Sequence, residues 1–191
     1  AEKEWELLKD EKGIQLYRRS VKDSEFDEFK GVMVVNTRIE VIAAVLRDPL
    51  AYPKWMSGCK KSQIIEQFDE NNMIVYHVQN TKWPLKDRDV VLRVTTTLDW
   101  EAGWFRVELI SIEDSRVPPK ETHVRIVKMN GNWFAEYLDR EHTRVTFIFT
   151  SDPGGSLPAS LINKNIKTFP YNTLRGMTSI VQESKYIKAA N

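Results

Sequence analysis

The sequence predicts an α+β fold in which one large, curved antiparallel sheet is closed by a long C-terminal helix. Three observations predict it. The alternating run 144–150 ends in Pro153-Gly154-Gly155, and an apolar-striped segment follows at once and runs to Ile187. Upstream, from Lys60 on, short apolar-alternating runs are separated by turn-forming residues, the pattern of a meander. In the terminal segment Ile162, Ile166, Phe169, Thr173, Met177, Ile180 and Ser184 recur at steps of three and four, which is one face of an α-helix.

Taken in order, residues 2–12 read as a short helix with Trp5, Leu7 and Leu8 facing inward, ended by Gly13. Residues 14–17 and 29–35 read as two paired strands. Residues 39–46 carry Val41, Ile42, Val45 and Leu46 at helical spacing, with Asn36 or Thr37 as the cap. Pro49 and Pro53 break the chain, and residues 52–56 read as a turn or short helix. The strands that follow are 62–68, 73–81, 89–98, 104–111, 123–129, 133–138 and 145–150. Their separators are Asp69-Glu70-Asn71-Asn72, Glu101-Ala102-Gly103 and Asn130-Gly131-Asn132, and Asn-Gly is the strongest short hairpin signal. Pro158 falls in the first helical turn, where a missing N–H forfeits no bond. Pro170 lies inside the helix and is expected to bend it near Ile166.

Residues 1–191 read as one domain, without internal repeat or linker. A net charge of +1 gives no bulk field for nucleic acid. Mean hydropathy of −0.45 describes a soluble chain, and no run approaches the roughly 20 apolar residues of a membrane span. Cys59 is the only cysteine, which excludes an intrachain disulfide and cysteine-based zinc motifs. Ala1 in place of methionine fits either a mature exported form or a trimmed cytoplasmic chain. No cofactor or metal is expected, and the chain is expected to be a monomer.

The usual catalytic motifs are absent. His77 and His123 fall in predicted strands, where a satisfied structural histidine is the simpler reading, and His142 falls in a charged turn. Cys59 beside Lys60 and Lys61 reads as an ordinary thiol rather than an activated one. Glu136 is expected to face solvent; inside, it would need a partner. Arg88 and Asp89 read as a surface ion pair. By alternation Val91, Arg93 and Thr95 share one face, taken as the outer one; pointing inward, Arg93 would anchor a head group or join a buried pair.

Two stretches resemble the steroidogenic-acute-regulatory-related lipid transfer (START) family. They are Trp83-Pro84-Leu85-Lys86-Asp87-Arg88-Asp89-Val90-Val91 and Phe149-Thr150-Ser151-Asp152-Pro153-Gly154-Gly155-Ser156-Leu157-Pro158-Ala159-Ser160-Leu161-Ile162-Asn163. Pro170-Tyr171-Asn172-Thr173-Leu174-Arg175-Gly176-Met177 is similar to the later part of the family's terminal helix, and the glycine turn is most similar to the phosphatidylcholine transfer protein branch. The resemblance implies a helix-grip fold: a sheet wrapped around the C-terminal helix, enclosing a hydrophobic tunnel for one lipid, with helix and loops as lid. It implies a lipid carrier rather than an enzyme, and leaves phospholipid, sterol and fatty-acyl ligands open. Val75-Tyr76-His77-Val78-Gln79 holds no acidic residue for a sterol-type charged pair. Trp55, Trp104, Trp133 and Tyr137 are candidates for a choline cage.

A lipid tail gains about 0.8 kcal/mol per buried CH₂, so a dry apolar pocket suffices without catalytic groups. The expected ligand contacts are Trp55, Val75, His77, Arg93, Trp104, Trp133, Tyr137, Phe147, Phe149, Leu161, Ile162, Ile166, Phe169 and Met177, with Met33, Val35 and Phe105 as further walls. A lid over 154–177 would hinge at Gly154, Gly155 and Pro170. Residues 153–191 carry Lys164, Lys167, Arg175, Lys185 and Lys188 against Glu183 alone, a net +4 suited to transient contact with an anionic membrane surface. Two rival readings stand beside this one: an enzyme on the same scaffold acting on a hydrophobic small molecule through His77 or Glu136, and a lipid-gated interaction module.

Overall fold

A computed structural model describes residues 4–82 and 84–190, with the backbone alone at Asn165. Ten strands form one sheet: β1 (Glu6–Glu11), β2 (Ile14–Ser20), β3 (Asp27–Val35), β4 (Cys59–Gln67), β5 (Asn72–Gln79), β6 (Arg88–Asp99), β7 (Trp104–Ser111), β8 (Val124–Arg125), β9 (Lys128–Tyr137) and β10 (Thr143–Asp152). The order is β1-β2-β3-β10-β9-β7-β6-β5-β4, antiparallel throughout, with β8 added parallel to β6. The helices are α1 (Ile39–Leu46), α2 (Tyr52–Trp55), α3 (Ala159–Ile166), α4 (Phe169–Ile180) and α5 (Ser184–Ala189).

Alternation sends one face of nearly every strand inward. Ile14 and Leu16 of β2 share one core with Met73 and Val75 of β5, although these strands lie far apart in the sheet order. The sheet therefore curves round. Leu174 and Met177 of α4, neither exposed at all, fill the hollow. This is the helix-grip arrangement. Close approach of α4 to α2 depends on Gly176: a Cβ there would lie 1.9 Å from the Trp55 carbonyl oxygen. The α5 helix is tied back near α1 by Asp48, whose carboxylate takes Lys185 Nζ at 2.6 Å and the Tyr186 hydroxyl at 2.9 Å. Behind β5 and β6, the loop before β8 lays Val117 over Ile74, Tyr76, Val78 and Val91 as a small second core.

Several expectations are corrected. The N-terminal segment is the strand β1, not a helix; residues 1–3 of that expectation lie outside the described residues. Lys12 and Gly13 both adopt positive φ (54° and 76°), and this two-residue turn folds Glu11 onto Ile14 as a hairpin. The helix 39–46 holds, but its cap residue is Arg38, with no side-chain cap bond. Asn130-Gly131-Asn132 is no hairpin: it runs inside β9, where Leu109 Cδ1 lies 3.0 Å from the place a Cβ would take at Gly131. The expected strand 123–129 shrinks to β8 and the start of β9, leaving His123 in the preceding loop. The terminal helix is three helices. Pro170 opens α4 rather than bending a continuous helix, since its missing N–H is tolerated only in a first turn.

Candidate functional site

The hollow of the sheet is lined by aromatic rings that meet one another. Trp133 stacks on Phe147 with centroids 4.0 Å apart, and Phe147 stacks on Phe149 at 5.7 Å. Phe169, at the start of α4, meets Phe149 edge-on at 4.9 Å, and Trp55 meets Trp133 at 5.9 Å. Strand alternation puts Trp133, Phe147 and Phe149 on one face, and α2 and α4 bring the other two rings to it. Val75, His77, Ile162 and Met177 are buried too, and Ile166 packs half-buried on the same core. Among the described residues, four buried side-chain polar atoms have no hydrogen-bond partner: Arg47 Nε, Trp55 Nε1, Ser62 Oγ and the Tyr171 hydroxyl.

Four expected contacts lie elsewhere. Arg93 is exposed on the outer face, because Val90, Leu92 and Val94 take the inward positions of β6. Trp104 is on the outer face as well, with its ring against Phe134. Tyr137 ends β9 at 49% exposure, and Leu161 is on the solvent side of α3 at 43%. Of the proposed cage residues, only Trp55 and Trp133 come together. Trp83 lies outside the described residues.

The inward polar set was largely missed by the sequence reading. Ser62 pairs with His77 across β4 and β5, and Gln79 pairs with Arg88 across β5 and β6. His77 Nε2 donates to Gln79 Oε1 at 3.2 Å, and Gln79 Nε2 donates to the Ser57 carbonyl at 2.9 Å. Cys59 Sγ lies 3.6 Å from both His77 Nδ1 and the Lys61 carbonyl. Burial pushes the thiol up to about 12 and holds the imidazole below its ordinary value. The pair is therefore neutral, with no thiolate to act as a nucleophile. His123 is half-buried beside the Thr122 hydroxyl, and His142 pairs with Asp139 in its turn. Glu136 is on the outer face, 4.0 Å from Arg144. Asp89 is fully buried and paired not with Arg88 but with Arg125, which donates to both of its oxygens at 2.8 and 3.1 Å. The Tyr76 hydroxyl donates a third bond to it at 3.0 Å. Alternation signalled that Arg88 and Asp89 face opposite ways, since successive strand residues cannot share a face.

The segment after β10 crosses the end of the hollow. It starts at Gly154, whose φ is +67° and whose added Cβ would lie 2.8 Å from the Arg125 carbonyl of β8. It ends at Asn163, which accepts from Asp27 N–H and donates to the Glu25 carbonyl, both at 3.1 Å. Because β8 and β3 lie on opposite flanks of the sheet, the span 154–163 bridges those flanks. Beside α3 a surface depression of about 370 Å³ is lined by Arg18, Asp27, Ser160, Asn163, Lys164 and Lys167.

No described helix is long and apolar enough to cross a membrane, and no group of metal-ligating side chains occurs among the described residues. An uncharacterized protein of Pseudomonas aeruginosa is 28% identical over 94% of this chain and 88% of its own length. The mouse (Mus musculus) phosphatidylcholine transfer protein is 26% identical over 94% of this chain and 84% of its own length. The crystal structure of a STAR-related lipid transfer protein fragment from Xanthomonas axonopodis superimposes with a TM-score of 0.85 at 29% identity, covering 94% of this chain and 99% of that one. A family model described as START domain matches residues 1–187, and the chain accordingly belongs to the START domain family.

Proposed function

We propose that this protein binds one lipid between the concave sheet face and α4, carries it as cargo without chemical change, and admits it by moving the 154–168 segment as a lid. The observation that carries the reading is the bridge itself: one short segment runs from β8 to β3 across the end of a sheet whose inner face carries stacked aromatic rings. Its fastening is light. Asn163 makes bonds that cross to the β3 flank, Ile162 is buried and Ile166 half-buried, and Gly154 and Gly155, both at positive φ, supply a hinge.

Energetics favour such an exchange. Parting the ring stack loses contacts of about 0.5–1.5 kcal/mol per aromatic pair. An acyl chain entering in its place gains about 0.8 kcal/mol per CH₂, on the order of 10 kcal/mol for a long chain. The unpartnered Trp55 Nε1, whose ring meets Trp133, would gain a partner from a polar group of the ligand, a buried unpaired donor otherwise costing about 1–3 kcal/mol. Lys164 and Lys167, exposed on and just after α3, would bring the lid to an anionic bilayer surface. The neutral Cys59–His77 pair supports carriage over catalysis. The test is transfer of a fluorescent phospholipid between vesicles. Protein-dependent transfer that saturates with one lipid per chain is expected, and no uptake of phospholipid, fatty acid or sterol would reject the reading.

A further inference from the structure

Arg88 is 7% exposed, a cation nine-tenths removed from water. Among the described residues its one bond is from Nη1 to the Lys86 carbonyl at 2.7 Å. No carboxylate pairs with it. Asp87 is committed to Lys60 and to the Thr81 N–H, Asp89 faces the other way onto Arg125, and Asp152 accepts from Gly154 N–H. Burial lowers the guanidinium's pKa, and no nearby charge offsets the effect. A guanidinium carries five N–H donors, and those of Arg88 left without a protein partner are not among the fully buried atoms, so they remain open to an incoming acceptor.

Its position is specific. Arg88 follows the inward alternation of Val90, Leu92 and Val94, so it belongs to the lipid-facing side of β6. Its Nη2 lies 3.7 Å from the place a Cβ would take at Gly155, beside the turn from which α3 departs. We infer that the Arg88 guanidinium is an anion receptor at the lid hinge, taking the phosphate or carboxylate group of a lipid held between the sheet and α4. The inference rests on the lid reading above and narrows it. The preferred cargo bears an anionic oxygen group, and a sterol or diacylglycerol lacks what this site requires. The planar fork of arginine matches two oxygens of phosphate or carboxylate at once, which a lysine cannot do.

The test is competition between dioleoyl phosphatidic acid and dioleoylglycerol, presented in one vesicle population, with bound lipid read by native mass spectrometry. Wild-type protein should prefer the phosphate-bearing lipid by roughly tenfold or more, as expected for charge-assisted bonds. Arg88→Gln should bring the ratio within about twofold of unity by loss of phosphatidic acid uptake, and Arg88→Lys should keep part of the preference. Inorganic phosphate, titrated against lipid-free protein and read by the NMR shift of arginine Nε–H groups, separates the sources of the anion. A saturable shift assigns a free-anion site, and silence together with the lipid preference assigns the head group. A preference unchanged in Arg88→Gln overturns the proposal, as does equal uptake of both lipids by the wild type with no phosphate response. Should Arg88→Gln fail to fold, the two wild-type measurements decide. Should no lipid bind at all, the lid reading falls and the phosphate titration alone decides on Arg88.

Discussion

Asn163→Ala cuts the lid's cross-flank fastening. The side chain accepts one backbone bond from Asp27 and donates one to Glu25, both at 3.1 Å and at partly or fully exposed positions. Such bonds are worth about 0.5–1 kcal/mol each net, so the pair holds the closed lid by about 1.5 kcal/mol. At 1.4 kcal/mol per factor of ten, the open population rises about tenfold. Alanine is also the better helix former, so α3 itself is not weakened. If lid opening limits release, vesicle-to-vesicle transfer accelerates by the same factor of about ten, while the unfolding midpoint of the sheet stays in place. Ser160→Ala is the control, since it truncates an exposed α3 side chain and breaks neither bond. Amide hydrogen exchange over 159–166 reports the opening directly. A transfer rate within about twofold of wild type, with exchange unchanged, refutes the gating role.

Phe169→Asp places a carboxylate against Phe147 and Phe149, and should abolish lipid uptake while circular dichroism shows an intact sheet; unchanged uptake removes Phe169 from the pocket. Gly176→Ala forces a Cβ onto the Trp55 carbonyl, which is backbone and has little freedom to yield, so unfolding by urea should show a loss of about 3 kcal/mol or more. Burial raises the Asp89 pKa, but the bonds from Arg125 and Tyr76 outweigh that and leave it below 3.8. Its contribution is therefore complete above about pH 4 and is lost as pH falls through the folded value. Wild-type stability should drop more between pH 6 and pH 3 than that of Asp89→Asn (pH values chosen on either side of about 4), and equal drops would contradict the assignment. Cys59, raised to about 12 and buried, should resist thiol reagents in the folded protein and react at once in denaturant; fast native labelling would show a more open interior.

Much of the architecture was legible because strand alternation is a local signal. Phe105 to Leu109 and Thr143 to Thr150 display their buried faces in the sequence, and the terminal stripe from Ile162 to Ile180 marks the residues that the helices turn inward. What failed was turn chemistry decided by tertiary contact. Asn130-Gly131 carries a hairpin signal, yet Leu109 packed over Gly131 makes a strand interior the better use of the missing Cβ. Lys12-Gly13 turns the chain because Lys12 accepts a positive φ, which its side chain does not advertise. The site was half legible. Trp133, Phe147 and Phe149 follow from alternation, whereas Tyr137 and Trp104 required knowing where β9 ends and which face of β7 is buried. The same alternation that placed Arg93 outside places Arg88 inside, but Asp89 beside it suggested a surface pair and masked that reading.

The central claim is that the hollow between the concave sheet face and α4 takes one lipid. Native mass spectrometry of freshly purified protein, followed by solvent extraction and identification of what is released, tests it most directly. The account predicts one stoichiometric lipid adduct per chain, bearing a phosphate or carboxylate group. A bare protein that also takes up no phospholipid, fatty acid or sterol from vesicles would contradict it and leave the ring stack as a solid core.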